Sequence, residues 1–272
     1  MSYRALGIYR EPEFSPGKVE SDAAILDGVL AELAREGYET SAMDAHSFGM
    51  GAPAEAEIIL AMCQGEKALK RLAEAEQAGA IAINSALAIR NCYRDLLASG
   101  LRQAGVPTPA GALVPTDAPL DLRRLVGMDL SSGVFVKRGD LHALGADDVQ
   151  RIVGRVELES TLKGFAGRGI PLAYVQQEAV GGVVKFYGVA GGYFSALPEQ
   201  DEIPEAAVRE LSEAAHRAAD ALGLAAWGGD AVLSGDRFAI IDFNDWPSYS
   251  RVRAQAARAI ARHAISMMGR LR

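Results

Sequence analysis

Residues 228–246 read GGDAVLSGDRFAIIDFNDW and place acidic side chains beside two short apolar runs. A Ser-Gly-Asp segment separates the runs and is typical of a tight turn, so the stretch predicts an antiparallel β-hairpin. Side chains two apart on a strand point to the same face, so Asp242 and Asn244 project together. Pairing across the turn would bring Asp230 toward them from the first strand.

Two carboxylates and one amide oxygen form an oxygen-only set suited to Mg²⁺. Mg²⁺ is commonly held by one or two carboxylates together with substrate phosphates, so the hairpin predicts a nucleotide site. The alternative is that Asp242, Asn244 and Asp245 only begin a turn before Pro247, because Asp and Asn also favour turns. The spacing alone leaves both interpretations open.

The remainder of the chain divides into two parts. Residues 1–92 alternate short apolar runs with amphipathic helical patterns, which predicts a small α/β domain with a largely parallel sheet. A helix capped by Ser85 is expected to run past Arg94 to Gly105. Residues 93–272 contain neighbouring β-rich runs, which predict antiparallel sheets, and helical patterns that include one over 146–163. The predicted fold class is therefore α/β and α+β.

Two lysines lie within apolar strand patterns, Lys137 at the end of GVFVK and Lys185 within VVKFYG. Each could point into solvent, or reach a phosphate as a compact charge. Together with the acidic set, the two lysines predict a phosphate site. The polar loop 138–145 is expected to act as a lid that orders over a triphosphate, and its His142 is the one histidine that we regard as a candidate.

Composition and charge exclude several classes. The 272 residues carry a net charge of −7, which argues against nucleic acid or an anionic membrane as the partner. No apolar run is long enough to cross a bilayer, and the first residues lack the apolar segment of a signal peptide. Cys63 and Cys92 have no metal spacing and are expected to be reduced, so a cytoplasmic protein is expected. A homodimer is a candidate assembly.

The order of these features resembles that of the ATP-grasp superfamily over roughly residues 55–255. That resemblance implies an N-terminal (pre-ATP-grasp) α/β domain, 1–92, followed by an ATP-grasp region, 93–272, whose two α+β lobes clamp ATP. The segment NSALAIRNCYRDLLASGLRQAGVPTP places Arg94 where the family usually has its first nucleotide-binding lysine. VFVKRGD matches the strand of the second lysine, Lys137. VQQEAVGG resembles the hinge between the lobes, near 177–182.

The resemblance also implies roles for residues at the site. Gln177, Glu178 and Val180 would face adenine, and Lys185 would lie near the transferred phosphoryl group. The ligands of Mg²⁺ or Mn²⁺ would be Asp230, Asp242 and Asn244. The chain departs from the family in having Arg at 94, no acidic ribose contact beyond the hinge, and Asp where ligases commonly have Glu at 242. This last departure also resembles the inositol phosphate kinases of the superfamily.

Three functions follow from the resemblance. The first is an ATP- and Mg²⁺-dependent ligase that activates a small-molecule carboxylate as an acylphosphate for attack by an amine or thiol. The second is a small-molecule kinase in which Asp245 orients a hydroxyl, and the third is a nucleotide-binding regulatory module without turnover. Arginines predict an anionic substrate, although a solvated surface is the alternative. The candidate substrate contacts are Arg10, Ser248, Tyr249 and Arg251.

Overall fold

The computed structural model describes residues 3–51, 55–141, 143–199 and 203–270. Within them the chain forms three four-stranded sheets and eight α-helices. The strands are β1 Arg4–Tyr9, β2 Glu39–Asp44, β3 Ile58–Ala61, β4 Ile81–Ile83, β5 Gly111–Pro115, β6 Val134–Arg138, β7 Val149–Ile152, β8 Leu172–Gln177, β9 Gly182–Val189, β10 Tyr193–Pro198, β11 Ala226–Ser234 and β12 Arg237–Asp245. The helices are α1 Val19–Arg35, α2 Ala45–Met50, α3 Glu66–Gln77, α4 Ala86–Asn91, α5 Arg94–Gln103, α6 Arg155–Gly167, α7 Glu205–Leu222 and α8 Arg253–Arg270. This mixture confirms the predicted α/β and α+β class.

The first sheet has the spatial order β2-β1-β3-β4, and each neighbouring pair is parallel. Parallel strands need crossover connections, which helices α1, α2 and α3 supply. All of β3 and most of β1 are buried, as their apolar runs predict. The parallel sheet predicted for the first part of the chain is therefore confirmed.

The last helix, α8, packs against α1, although most of the chain separates the two. Ile25 and Val29 of α1 join Ala256 and Ile260 of α8 in one buried cluster, which also contains Tyr187 of β9. The N-terminal layer and the sheet that contains β9 therefore share one hydrophobic core. Such a shared core fixes their relative position.

The central lobe is the antiparallel sheet β5-β8-β6-β7 with α6 packed on it. Leu158 and Phe165 of α6 are buried in its core. The helix predicted over 146–163 is wrong in its first half, because β7 pairs there with β6. Gly154, with a φ of 84°, ends this extended segment and allows α6 to begin only at the next residue.

The C-terminal lobe is the antiparallel sheet β10-β9-β11-β12, covered on one face by α7. Strands β11 and β12 pair around a two-residue turn at Gly235 and Asp236, so the predicted hairpin is confirmed. The register shifts once within the hairpin, and Ile241 has no register partner. An extra residue of this kind is a β-bulge.

The helix predicted over 85–105 is two helices. Ser85 caps α4 as expected, its hydroxyl accepting a hydrogen bond from the backbone of the first turn. The chain is extended at Tyr93, whose hydroxyl donates to the carbonyl of Gln64, and α5 begins after it. The break between the two helices lies at Cys92 and Tyr93.

Two further features concern the chemistry that the described residues can support. None of their helices is both long and apolar enough to cross a membrane. Cys63 and Cys92 are buried free thiols, as expected. Burial raises the pKa of each, so neither is a reactive thiolate at neutral pH.

Candidate functional site

One face of the C-terminal lobe carries the predicted metal-binding residues side by side. Lys185 of β9 pairs in register with Asp230 of β11, which pairs with Asp242 of β12. Asn244 lies on the same face, and its amide N–H donates to Oδ2 of Asp242 at 3.3 Å. The structure therefore brings Asp230, Asp242 and Asn244 together, as the spacing of the hairpin predicts.

Lys185, Asp230 and Asp242 form a row across three neighbouring strands, and Asp230 lies at its centre. The ammonium of Lys185 donates to Oδ1 of Asp230 at 2.6 Å. Burial lowers the pKa of Lys185, but the hydrogen bond and charge of Asp230 outweigh it and raise that pKa above its ordinary value. In the described part of the chain no three His, Cys, Asp or Glu side chains form a metal-binding group. The donor set here is two carboxylates and one amide, which suits a hard cation that also takes phosphate oxygens.

Lys137 of β6 links the central lobe to this face. Its side chain is buried, with 7% of the residue exposed, and its ammonium donates to the carbonyl of Ile241 at 3.0 Å. Ile241 is the bulged residue of β12, which has no register partner on β11. Burial lowers the pKa of Lys137 to about 8, with Arg94 acting in the same direction and Asp242 opposing both.

Arg94 approaches the same row from the start of α5. It is 5% exposed, and its Nη2 lies 3.8 Å from Oδ1 of Asp242. A cavity of about 20 Å³, enough for roughly one water molecule, lies among Arg94, Asp242, Tyr174 and Gln176. The two lobes therefore meet around a cationic pair, Arg94 and Lys137, facing Asp242.

The predicted hinge is held to the central lobe by two side chains. The amide of Gln177 accepts from the backbone N–H of Asp129 at 2.7 Å. Glu178 forms two hydrogen bonds of 2.7 Å with the guanidinium of Arg151, which lower the pKa of the carboxyl. Val180, by contrast, is 82% exposed and leaves an apolar surface at the turn between the lobes.

Asp245 lies on the opposite face of β12 from Asp242. It is 2% exposed, and both of its carboxylate oxygens accept from Nε2 of Gln64, at 2.9 and 3.0 Å. Arg10 also points into this interior, where it donates to the carbonyl of Trp246 at 2.9 Å. The structure thus brings Asp245 and Arg10 to each other and away from the predicted metal ligands.

The three predicted substrate contacts beyond the hairpin differ in accessibility. Tyr249 is fully buried, and its hydroxyl contacts the carbonyls of Gly188 and Trp227 at 2.9 and 3.1 Å. A side chain enclosed in this way does not meet a substrate. Ser248 is half-buried and Arg251 is exposed, so these two remain accessible.

The segment after Lys137 makes polar contacts near both of its ends. Arg138 forms two hydrogen bonds of 2.8 Å with Asp140, and the backbone N–H of Leu144 donates to buried Asp148 at 2.7 Å. The first contact lies within the predicted lid 138–145, and the second joins the lid to a residue beyond it. The candidate His142 lies outside the described residues.

Known protein structures resemble the whole of this arrangement. The D-alanine–D-alanine ligase from Bacillus anthracis complexed with ATP superposes with a TM-score of 0.74 at 15% identity, over 99% of this chain and 98% of that chain. The VanG D-Ala:D-Ser ligase from Enterococcus faecalis superposes with a TM-score of 0.74 at 10% identity, over 98% of this chain and 99% of that chain. A RimK domain ATP-grasp protein from Sphaerobacter thermophilus superposes with a TM-score of 0.71 at 16% identity, over 96% of this chain and 99% of that chain. The chain has the ATP-grasp fold. No family model and no curated protein matches its sequence.

The ATP-grasp fold confirms the architecture that the sequence resemblance implied, with an N-terminal α/β layer and two antiparallel lobes. Sequence reasoning missed Gln64 and Arg151. Gln64 directly follows β3, at the carboxyl end of a parallel strand where polar groups gather, but no spacing distinguishes it. Arg151 falls within the helical pattern over 146–163, so the sequence does not indicate its position on β7 beside the hinge.

Proposed function

We propose that this protein is an ATP- and Mg²⁺-dependent ligase that activates a small-molecule carboxylate for attack by an amine or thiol. The observation that carries the proposal is the array at the lobe junction, where Arg94 and Lys185 contact the carboxylates of Asp242 and Asp230 and Lys137 donates to the carbonyl of Ile241 beside Asp242. The ATP-grasp fold shared with ligases, one of them complexed with ATP, supports it.

The reaction would proceed in two steps. An oxygen of the substrate carboxylate attacks the γ-phosphorus of ATP, ADP leaves, and an acylphosphate forms. The amine or thiol then attacks the acyl carbon, phosphate leaves, and the nucleophile loses its proton. Phosphoryl transfer depends mainly on positioning and on neutralising the charge of the equatorial oxygens.

The residues of the junction suit that task. Lys137 and Arg94 would bind phosphate oxygens, and Lys185 would leave Asp230 to contact the transferred phosphoryl group. Mg²⁺ held by Asp230, Asp242 and the amide oxygen of Asn244 would supply Lewis-acid stabilisation of the phosphates. Val180 and the backbone beside Gln177 and Glu178 would receive the adenine.

Ser248 and Arg251 remain the candidate contacts for an anionic substrate, because both are accessible and follow the metal-bearing strand. Arg10 is committed to the interior by its hydrogen bonds to Trp246 and the backbone of Met62. The substrate would therefore approach from the side of the hairpin exit.

The kinase alternative uses the same ATP-side residues. Its distinguishing residue was Asp245, which lies buried against Gln64 on the opposite face of β12. Apart from the Asp at 242, which resembles the inositol phosphate kinases, nothing in the described residues favours a hydroxyl acceptor, so the ligase remains our proposal.

Incubation with Mg·ATP, hydroxylamine and a panel of amino acids, hydroxy acids and polyols tests this assignment. A ligase should release ADP and form a hydroxamate with one class of carboxylate, because hydroxylamine traps acylphosphates. A kinase would instead give a stable phosphate ester without hydroxamate. Nucleotide binding without ADP release from any acceptor would indicate a regulatory module.

A further inference from the structure

A buried polar cluster joins the N-terminal domain to the end of the metal-bearing strand. Its centre is Asp245, whose carboxylate accepts two hydrogen bonds from Gln64 and lies 3.9 Å from Nη2 of Arg10. Gln64 is 3% exposed. We call Arg10, Gln64 and Asp245 the interdomain cluster. Asp245 is three residues from Asp242 on β12 and therefore lies on the opposite face of the strand.

Gln64 is fixed from both sides of its backbone. Its N–H donates to the carboxylate of Glu11 at 2.9 Å, and its carbonyl accepts from the hydroxyl of Tyr93. The side-chain amide therefore has little freedom to follow Asp245 if the strand moves. A buried carboxylate held by a fixed donor is a strong positional constraint, because breaking the bond leaves the charge uncompensated.

Arg10 contacts the residue that directly follows the strand. Its Nη2 donates to the carbonyl of Trp246 at 2.9 Å, and its Nη1 lies 3.3 Å from Asp22. Trp246 has a φ of 35°, a left-handed conformation that is strained for a bulky residue. The indole N–H of Trp246 donates to the carbonyl of Ile83, again in the N-terminal domain. Contacts from another domain thus hold a strained residue two positions after Asn244.

We propose that Gln64 and Arg10 are positioning residues for the metal site. By fixing Asp245 and Trp246 they would keep Asn244 and Asp242 at the orientation that a cation requires, without touching the cation or its phosphates. This inference rests on the proposed function, since it presupposes that a metal–nucleotide complex binds to the opposite face of β12.

The variant Gln64→Glu tests the proposal, because it keeps the shape of the side chain but places a second carboxylate against Asp245. The probe is Mn²⁺ with the non-hydrolysable analogue AMP-PNP, and binding of the preformed complex is followed by electron paramagnetic resonance. We expect binding of the complex to weaken at least fivefold. Metal-free AMP-PNP, titrated in EDTA by calorimetry, should change less than twofold.

Combining Gln64→Glu with Asp245→Asn supplies the rescue. In the double variant the carboxylate lies at position 64 and the amide at position 245, and both side chains keep their original lengths. One carboxylate again faces one amide, so the affinity for Mn·AMP-PNP should return to within about twofold of wild type. Gln103→Glu, at the exposed C-terminal end of α5, adds the same charge away from the site and should have no effect. If Gln64→Glu alone does not fold, Arg10→Lys provides the same comparison, because a lysine cannot make all the contacts of Arg10.

The outcomes separate the two proposals. Absence of Mn·AMP-PNP binding by the wild-type protein would remove the proposed function, and this inference with it. Wild-type binding together with unchanged binding by Gln64→Glu and Arg10→Lys would overturn the positioning role alone. Tighter binding by Gln64→Glu would also overturn it, because the added carboxylate would then act by charge attraction. Lower stability without a metal-specific loss would show a purely structural role.

Discussion

Lys137 offers a direct way to test the electrostatics of the site. Its ammonium is buried between the lobes, and its pKa is lowered from 10.5 to about 8, chiefly by burial. The shift corresponds to a free-energy cost of roughly 3 kcal/mol for holding the charged lysine in the folded protein at neutral pH. Lys137→Met removes the charge but leaves the carbonyl of Ile241 without its donor, which costs about 1–3 kcal/mol. At pH 7 the nucleotide-free variant should therefore be as stable as wild type or up to about 2 kcal/mol more stable.

The pH dependence gives the sharper prediction. Between pH 8 and 10.5 the lysine is neutral in the folded protein but charged in the unfolded chain, so the unfolded state binds more protons. Wild-type stability must then rise with pH relative to the variant. Between pH 7 and 9.5 the stability of Lys137→Met relative to wild type should fall by about 2 kcal/mol.

Urea unfolding of both proteins at the two pH values measures this difference. Lys163→Met, at an exposed position of α6, removes the same charge far from the junction and is the matched control. A difference between Lys137→Met and wild type that does not change with pH would refute the argument, because it would mean that Lys137 titrates normally in the folded protein.

Three other expectations follow from the same geometry. Asp242→Asn should weaken Mg²⁺ binding and lower turnover by orders of magnitude. Asp245→Asn, which can still accept from Gln64, should change the Mg²⁺ titration far less, and equal small effects of the two substitutions would favour the turn interpretation. Tyr249→Phe should lower the free energy of unfolding by about 1–2 kcal/mol in urea titrations and leave ADP release intact; a large loss of activity at unchanged stability would instead make Tyr249 a substrate contact. Protease cleavage within 138–145 should slow on addition of Mg·ATP, and equal rates with and without nucleotide would identify an ordinary surface loop.

Local patterns were sufficient for much of the fold. The hairpin was predictable because turn chemistry and alternation agree, and the parallel sheet because apolar runs alternate with amphipathic helices. The β-bulge at Ile241 was not predictable, since no residue type marks it. It nevertheless determines which carbonyl meets Lys137.

The parts of the site that the sequence did not predict depend on contacts between distant segments. Arg10 follows a strand of the N-terminal domain, where a ligand contact is the usual expectation, yet the end of β12 closes over it. Tyr249 comes shortly after the predicted metal ligands but turns into the core with a φ of 47°. Sequence distance to a motif therefore predicts neither burial nor the face on which a side chain lies.

The central claim is that the junction of the lobes binds Mg·ATP through Lys137. Calorimetric titration of the wild-type protein and of Lys137→Met with Mg·ATP at pH 7 tests it most directly. We expect saturable one-to-one binding by the wild type, which depends on Mg²⁺ and is weakened at least tenfold in the variant. Absence of wild-type binding at millimolar nucleotide, or equal affinities for the two proteins, would contradict it.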